Sequence, residues 1–511
     1  MVKRAAASLL ASLPQAPDTE QLPLYLQLYR RLRDGIVSGA IGRGYRLPSS
    51  RALAADLGLS RNTVEGAITQ LQAEGFLVRR VGAGTFVAEH TAQPMVGAGR
   101  GKASRERTRG TTRGRDVLDE LSRRGRAIAT YSDPATAPEG RALAETLSGG
   151  DDFPIRTWLK SVNRCARERR HELLGPMREA GYTPLRQAIA AHLAAARGVR
   201  CDWRQVIITA STQQSIDLTA RLLLDADSAV CCENPCYSGA RAALQFAEAR
   251  IIAVPVDDHG ADFHAIDAAG RAARLAYVTP SHQYPLGVTM SLDRRLALLR
   301  WAGEQRANGH GWIFEDDYDS EFRYVGRPLM SVQGLDEQQR VIYSGSLNKV
   351  LLPNIRLAYL VVPEPLVDAF AHAIVAASGP APTLSQAAAA DFISSGHLAA
   401  HIRKTRERYR ERRDVLLEVL ERELGGVFRL ITAEAGMHVA GWLPPEYDDV
   451  DIARRAAHRG LEVPALSTYF IAEPAKTGLL IHFARVAPGL IVSAIEMLAQ
   501  CVEESRKRKA G

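Results

Sequence analysis

From about residue 140 onward, short apolar runs alternate with longer stretches of helical period, and the runs end in polar or aromatic residues. Val206-Ile-Ile-Thr leads into Ala210-Ser-Thr-Gln-Gln214, and Ala229-Val-Cys-Cys into Glu233-Asn-Pro-Cys-Tyr237. Leu275-Ala-Tyr-Val-Thr leads into Pro280-Ser-His-Gln-Tyr-Pro-Leu-Gly287, and Trp312-Ile-Phe into Glu315-Asp-Asp-Tyr-Asp-Ser-Glu321. Helical stretches such as Pro184 to Leu193 stand between such runs. The alternation predicts an α/β domain built on a mainly parallel sheet. In such sheets ligands bind outside the carboxyl ends of the strands, which is where these polar groups fall.

One further run, Val341-Ile-Tyr, introduces Ser344-Gly-Ser-Leu-Asn-Lys349-Val-Leu-Leu-Pro-Asn-Ile-Arg356. A lysine in apolar surroundings has a depressed pKa and more of the free amine that attacks aldehydes. Ser346 and Arg356 flank it and can hold a phosphate by hydrogen bond and charge. Ser211, Thr212 and Gln213 open a helix whose free N–H groups suit the same phosphate. A nucleophilic amine beside a phosphate clamp is what pyridoxal 5'-phosphate (PLP) requires. A lone lysine is ordinarily a solvated surface charge; the spacing and the acidic motif upstream argue otherwise here. PLP is an electron sink when its pyridine nitrogen is protonated, which calls for a buried carboxylate. Asp316 is the candidate, with Tyr318 for the ring hydroxyl and Tyr237 to stack on the ring. His282 joins the cofactor-binding set. Five acids in seven residues also suit magnesium, but no nucleotide loop accompanies them.

At 511 residues the chain is long enough for two or three domains. Residues 1–126 carry 21 Lys and Arg against 11 Asp and Glu, whereas the remainder holds 44 against 46. A basic front on a balanced body points to nucleic acid, with a solvated basic tail as the alternative. The six cysteines form no C-x-x-C pair, and Cys232 and Cys236 have no second pair or histidines nearby for zinc. Reduced, mostly buried thiols in a cytoplasmic protein are expected, with no metal. The first ten residues mimic a weak signal peptide, which their short alanine-rich apolar part argues against. No stretch is long enough to span a membrane.

Pro23 opens a predicted helix with Tyr25, Leu28, Tyr29, Leu32 and Ile36 on one face. Ser49 or Ser50 caps a second, Arg51 to Leu57, closed by Gly58. Ser60 caps a third, with Val64, Ala67, Ile68 and Leu71 as its buried stripe and Gly75 as its stop. Two helices joined by so tight a turn read as helix-turn-helix, and a hairpin across Gly82-Ala-Gly84 supplies a wing. Arg61, Asn62 and Thr63 would reach into the major groove. The triplet with its hairpin is also compatible with a plain interaction module. The stretch Leu47-Pro-Ser-Ser-Arg-Ala-Leu-Ala, Leu59-Ser-Arg-Asn-Thr-Val, Glu74-Gly-Phe-Leu and Gly82-Ala-Gly-Thr-Phe-Val87 resembles the winged helix of the GntR regulators. That resemblance implies DNA-contacting positions at Arg51, Ser60, Arg61, Thr63 and Gly82.

Residues 20–90 are thus read as a winged helix-turn-helix, 91–140 as a basic flexible linker rich in Gly, Ser, Thr and Arg, and 141–505 as the α/β domain. Asp116 to Arg126 is compatible with a helical turn. The α/β segments resemble fold-type I, class I aminotransferases, and the whole chain resembles the MocR-type regulators. The marks are Thr279 to Met290, Glu315 to Tyr324 and Tyr343 to Tyr359. The resemblance implies a smaller C-terminal α/β subdomain, PLP held on Lys349 as a Schiff base, and a head-to-tail homodimer. It further implies an operator on double-stranded DNA and control of transcription by PLP or by a small amine or amino acid that reacts with it.

The chain departs from that pattern in three ways. Ser211 stands where the family usually has glycine, and Ser346, Leu347 and Asn348 where it has Thr/Phe/Ser, which keeps polar phosphate partners. Aminotransferases hold the substrate carboxylate with an arginine in a late strand, and Leu479 to Ala484 offers none in that register, although Arg485 is close. Gly239, two after Tyr237, stands where a relative that senses an amino acid has arginine. At most a weak aminotransferase-like half reaction is expected, and the rival reading is a true aminotransferase with a DNA-binding appendage.

Overall fold

The computed structural model describes residues 23–80, 82–89, 121–129, 131, 141–144, 153–176, 178–326, 329–472, 474 and 476–509. The chain divides into two compact units, Met1–Thr112 and Arg113–Gly511.

In the first unit, helices α1 (Leu24–Val37), α2 (Ser50–Leu57) and α3 (Arg61–Ala73) precede an antiparallel hairpin of β1 (Leu77–Arg80) and β2 (Gly84–Val87). The Ser49 hydroxyl accepts from the Ala52 amide, and that of Ser60 from the Thr63 amide. Each side chain thus satisfies an amide left unpaired by the first helical turn. Gly58 ends α2 in the left-handed region at φ 64°, where a Cβ would strain the backbone. Leu28, Leu32, Leu53, Val64, Ile68, Leu71 and Val87 form one buried core. Tyr25 departs from the predicted stripe: it is 40 % exposed and lies where a side chain at Gly66 would touch it.

In the second unit the described part of the 91–140 segment includes helix α4 (Arg123–Ala129); the remainder of that segment and the first ten residues lie outside the described residues. An eight-stranded sheet follows, in the order β3-β10-β9-β8-β7-β4-β5-β6. Its strands are β3 (Val206–Thr209), β4 (Ala229–Asn234), β5 (Arg250–Asp257), β6 (Gly260–Ala261), β7 (Leu275–Val278), β8 (Trp312–Asp317), β9 (Val341–Ser346) and β10 (Ala358–Val361). The pairs β4–β5, β4–β7, β7–β8 and β8–β9 are parallel. β10 runs against both β3 and β9, and β6 runs against β5.

Alternate residues of each strand serve opposite faces. Ile207, Val230, Tyr277, Phe314, Ile342 and Leu360 pack under α7 (Thr212–Leu223), α8 (Ser238–Phe246) and α10 (Val367–Ala377). Val206, Ile208, Tyr343 and Tyr359 pack on the other side with α5 (Ile155–Glu168), α6 (Thr183–Arg197) and α11 (Thr383–Ser394), while Leu298 and Trp301 of α9 (Leu292–Gln305) cover Cys231, Ala276 and Ile313. Two-sided burial is why these strands read as continuous apolar runs. A smaller antiparallel sheet, β11 (Arg429–Thr432), β12 (His438–Leu443) and β13 (Thr477–His482), packs with α12 (His397–Leu424), α13 (Asp449–His458) and α14 (Pro488–Lys509). All six cysteines are free thiols, and five are buried. No described helix is long and apolar enough to cross a membrane.

Candidate functional site

The site lies where the parallel strands end. β8 continues through the acidic run to Asp317, so Asp316 sits on the strand, opposite Ser344 of β9. Asp316 is 4 % exposed. Tyr277 donates to its Oδ2 at 2.7 Å, and its Oδ1 has no partner among the described residues. Burial pushes its pKa up to about 7, Asp317 and Asp319 push the same way, and Tyr277 and Lys349 pull it back. Asp317 is also buried, but Arg197 and the Tyr343 and Ser320 hydroxyls outweigh that cost and hold its pKa below the usual carboxylate value. The Arg197 Nε–Asp317 Oδ2 distance is 2.7 Å.

The other acids of the run are separately engaged. Glu315 accepts the Val332 and Gln333 amides, each at 2.8 Å. Asp319 lies 3.0 Å from His282 Nδ1. The acids do not converge as magnesium ligands would. One grouping of metal-ligating side chains does occur among the described residues: ligand atoms of His282, Asp319 and His438 lie within 4.8 Å of one another.

Lys349 follows β9 by three residues, in a turn, and is half-buried. It borders a cavity of about 20 Å³, room for about one water, together with Tyr284, Tyr318, His438, His482 and Arg485. The Tyr318 hydroxyl is 2.9 Å from His282 Nδ1. His282 is fixed by close packing: at Gly436 (φ 86°) a Cβ would lie 1.9 Å from its Cε1. The Tyr237 ring meets that of Tyr284 edge-on at 5.6 Å.

The predicted phosphate residues come to one rim through the ladder. Ala358, at the start of β10, pairs with Thr209 on one side and Ser346 on the other. Arg356 therefore enters β10 beside the ends of β3 and β9; it is exposed and adopts φ 56°. Ser211 caps α7 by accepting the Gln214 amide at 3.1 Å, which leaves its hydroxyl hydrogen and the early amides of α7 for an anion. Ser346 is buried, and its hydroxyl accepts the Asn348 amide. The Gln213 side chain donates one of its two N–H groups to the Gly239 carbonyl at 3.0 Å. Thr212 is half-buried in the first turn of α7.

In the first unit Arg51, Ser60, Arg61 and Gly82 are exposed and Thr63 is half-buried. The Ser60 and Thr63 hydroxyls face each other at 2.8 Å, so both serve the cap. Sequence reasoning missed Arg79 and Arg80, exposed on the wing strand; the Leu77-Val-Arg-Arg80 run beside the glycine turn was the signal. It also missed His438 and His482, which sit opposite each other on β12 and β13.

These features agree with the comparisons. Residues 24–87 match the model of the bacterial regulatory proteins of the gntR family, and residues 145–473 that of the aminotransferases of class I and II. The probable rhizopine catabolism regulatory protein MocR of Rhizobium meliloti is 37 % identical over 478 residues, 93 % of each chain. The pyridoxine biosynthesis transcriptional regulator PdxR of Corynebacterium glutamicum is 30 % identical, covering 93 % of this chain and 95 % of its own. Among solved structures, Pyrococcus horikoshii kynurenine aminotransferase, in complex with PMP, superposes with a TM-score of 0.69 at 27 % identity, over 76 % of this chain and 98 % of that one.

Proposed function

This chain belongs to the MocR-type GntR regulators, in which a winged helix is fused to an aminotransferase-like domain, and from that premise we propose that it senses PLP, or an amine joined to PLP, through Lys349. The carrying observation is Asp316: a carboxylate buried at a strand end, with one oxygen held by Tyr277 and the other without a partner. A buried polar atom without a partner is costly, and a protonated pyridine nitrogen is the group that would relieve it. When bound, PLP supplies an electrophilic carbonyl and an electron sink.

The residues of this chain divide the remaining work. Asp316 holds the proton on the ring nitrogen. Tyr318, steadied by His282, offers its hydroxyl to the ring oxygen, and Tyr237 covers a ring face. Ser211, the early amides of α7, Ser346 and Arg356 take the phosphate. Arg51, Arg61 and the wing contact operator DNA, and a homodimer places two such units on it. The rival reading, steady transamination of amino acids, is disfavoured by Leu480, which is fully buried among apolar and aromatic side chains where a carboxylate would need a cation.

The test is fluorescence anisotropy of the full-length protein on DNA from upstream of its own gene, titrated with PLP. A change in affinity or stoichiometry makes PLP itself the signal. PLP bound without any change makes it a fixed group and an amine the signal. No bound PLP at all overturns the reading.

A further inference from the structure

Two features beside Lys349 define the chemistry that an effector would meet there. His438, on β12, is 2 % exposed, and its ring centroid stands 4.9 Å from that of His282 and 5.5 Å from that of His482. Its ring makes a backbone hydrogen bond to Pro285. Proline has no N–H, so the imidazole donates to the carbonyl. Nε2 is the atom that meets no partner among the described residues. Burial first, then His282 and His482, hold the ring's pKa well below its ordinary value, although the Pro285 bond works the other way. A neutral imidazole whose one hydrogen is already donated presents a bare lone pair. A carboxylate, itself only an acceptor, cannot satisfy it; a hydroxyl can.

Two positions near the cavity, Leu480 and Gly239, offer a carboxylate no cation. Leu480 pairs with Ala440 in the ladder, as His482 pairs with His438 two residues along, and packs among Tyr284, Leu466 and Tyr469. At Gly239 a Cβ would lie 2.6 Å from the Tyr237 ring and hydroxyl and 2.7 Å from Gln213 Oε1, so no cationic side chain can grow from that position as the site stands. The guanidinium bordering the cavity belongs to Arg485, which is half-buried.

Resting on the reading of Lys349 above, we propose that the effector recognised beside Lys349 is a primary amine bearing a hydroxyl that donates to His438 Nε2, and not an α-amino acid. Amino alcohols have this chemistry.

The test follows the visible absorbance of the PLP-loaded, full-length protein during titration with three matched amines. These are 2-amino-1,3-propanediol, isopropylamine, which lacks the hydroxyls, and serine, which carries a carboxylate. The diol should half-saturate at a concentration about tenfold below either of the others, the worth of one well-placed hydrogen bond. His438→Phe should bring the diol to within about twofold of isopropylamine while PLP stays bound, and His438→Gln, whose amide oxygen accepts, should keep the preference. His438→Leu replaces the Phe variant should that one fail to load.

Three results overturn the proposal. Serine could bind tightest and lose its advantage in Arg485→Leu, making Arg485 a carboxylate anchor. The diol preference could survive His438→Phe unchanged. Purified protein could retain one chelator-removable zinc that is lost in His438→Phe, making Nε2 a metal ligand beside His282 and Asp319. Absence of any PLP absorbance before an amine is added overturns the Lys349 reading itself, and this proposal with it.

Discussion

Tyr277 donates to Asp316 from the neighbouring strand β7 at 2.7 Å, and through that bond a carboxylate with one unmatched oxygen is held in the floor of the sheet. Because burial raises its pKa from 3.8 to about 7, the folded protein keeps a proton there that the unfolded chain has released. Stability contributed by this group is therefore present below pH 4 and is lost as the pH rises toward about 7. Asp316→Asn should flatten the fall in PLP-free stability over that window by about one proton, as read from denaturant midpoints at a series of pH values. The same variant should weaken PLP binding by at least about tenfold through loss of the charge-assisted bond. An unchanged pH slope would mean that Asp316 is ionised in the folded state throughout.

Lys349→Ala should abolish the borohydride-reducible adduct with PLP while leaving thermal stability and basal DNA binding nearly unchanged, since the side chain is half-buried beside a cavity. Mass spectrometry of the reduced, digested protein checks this. An adduct on any other lysine would place the reactive amine elsewhere.

In the winged helix, Arg61 and Ser60 are adjacent but should fail differently. Arg61→Ala should cost about 1–3 kcal/mol of operator affinity if it reads a base and leave the fold intact, because the residue is exposed. Ser60→Ala removes the cap of α3 and should lower the stability of that unit by about 1 kcal/mol. Thermal melts paired with anisotropy titrations separate the two, and equal affinity for the Arg61 variant would misplace the recognition helix.

Gly436→Ala should act at a distance from any ligand. Its backbone is left-handed, and the new methyl would fall on His282. A loss of about 1–3 kcal/mol in stability is expected. Displacing His282 also removes its contact with the Tyr318 hydroxyl, so PLP absorbance should shift relative to the parent. A stable variant with parental absorbance would show that His282 does not position Tyr318.

Much of this was legible in the sequence because local rules produced it. Ser49, Gly58 and Ser60 bound their helices as capping chemistry predicts, and the apolar runs at 206, 229, 275, 312 and 341 are strands. The direction of β10 was not legible, since a buried strand reads the same whichever way it runs. Tyr25 fitted the buried stripe of α1 by spacing but lies at its margin, where Gly66 leaves a shallow seat. His438 and His482 escaped notice because nothing local distinguishes a histidine in a strand from any other half-apolar residue. Their meaning comes from β12 and β13 placing them side by side, more than 80 residues after Lys349.

The reversed strand β10 has a mechanical consequence. Each residue from Ala358 to Val361 is laddered to both β3 and β9, with Ala358 joining their last residues, Thr209 and Ser346, so the cap of α7 and the lysine turn are tied through one strand. Whatever grips the first rim restrains the second, and less ordering is left for the other end of the same ligand to impose. Inorganic phosphate and an unphosphorylated aldehyde, added together, should therefore bind more tightly than either does alone.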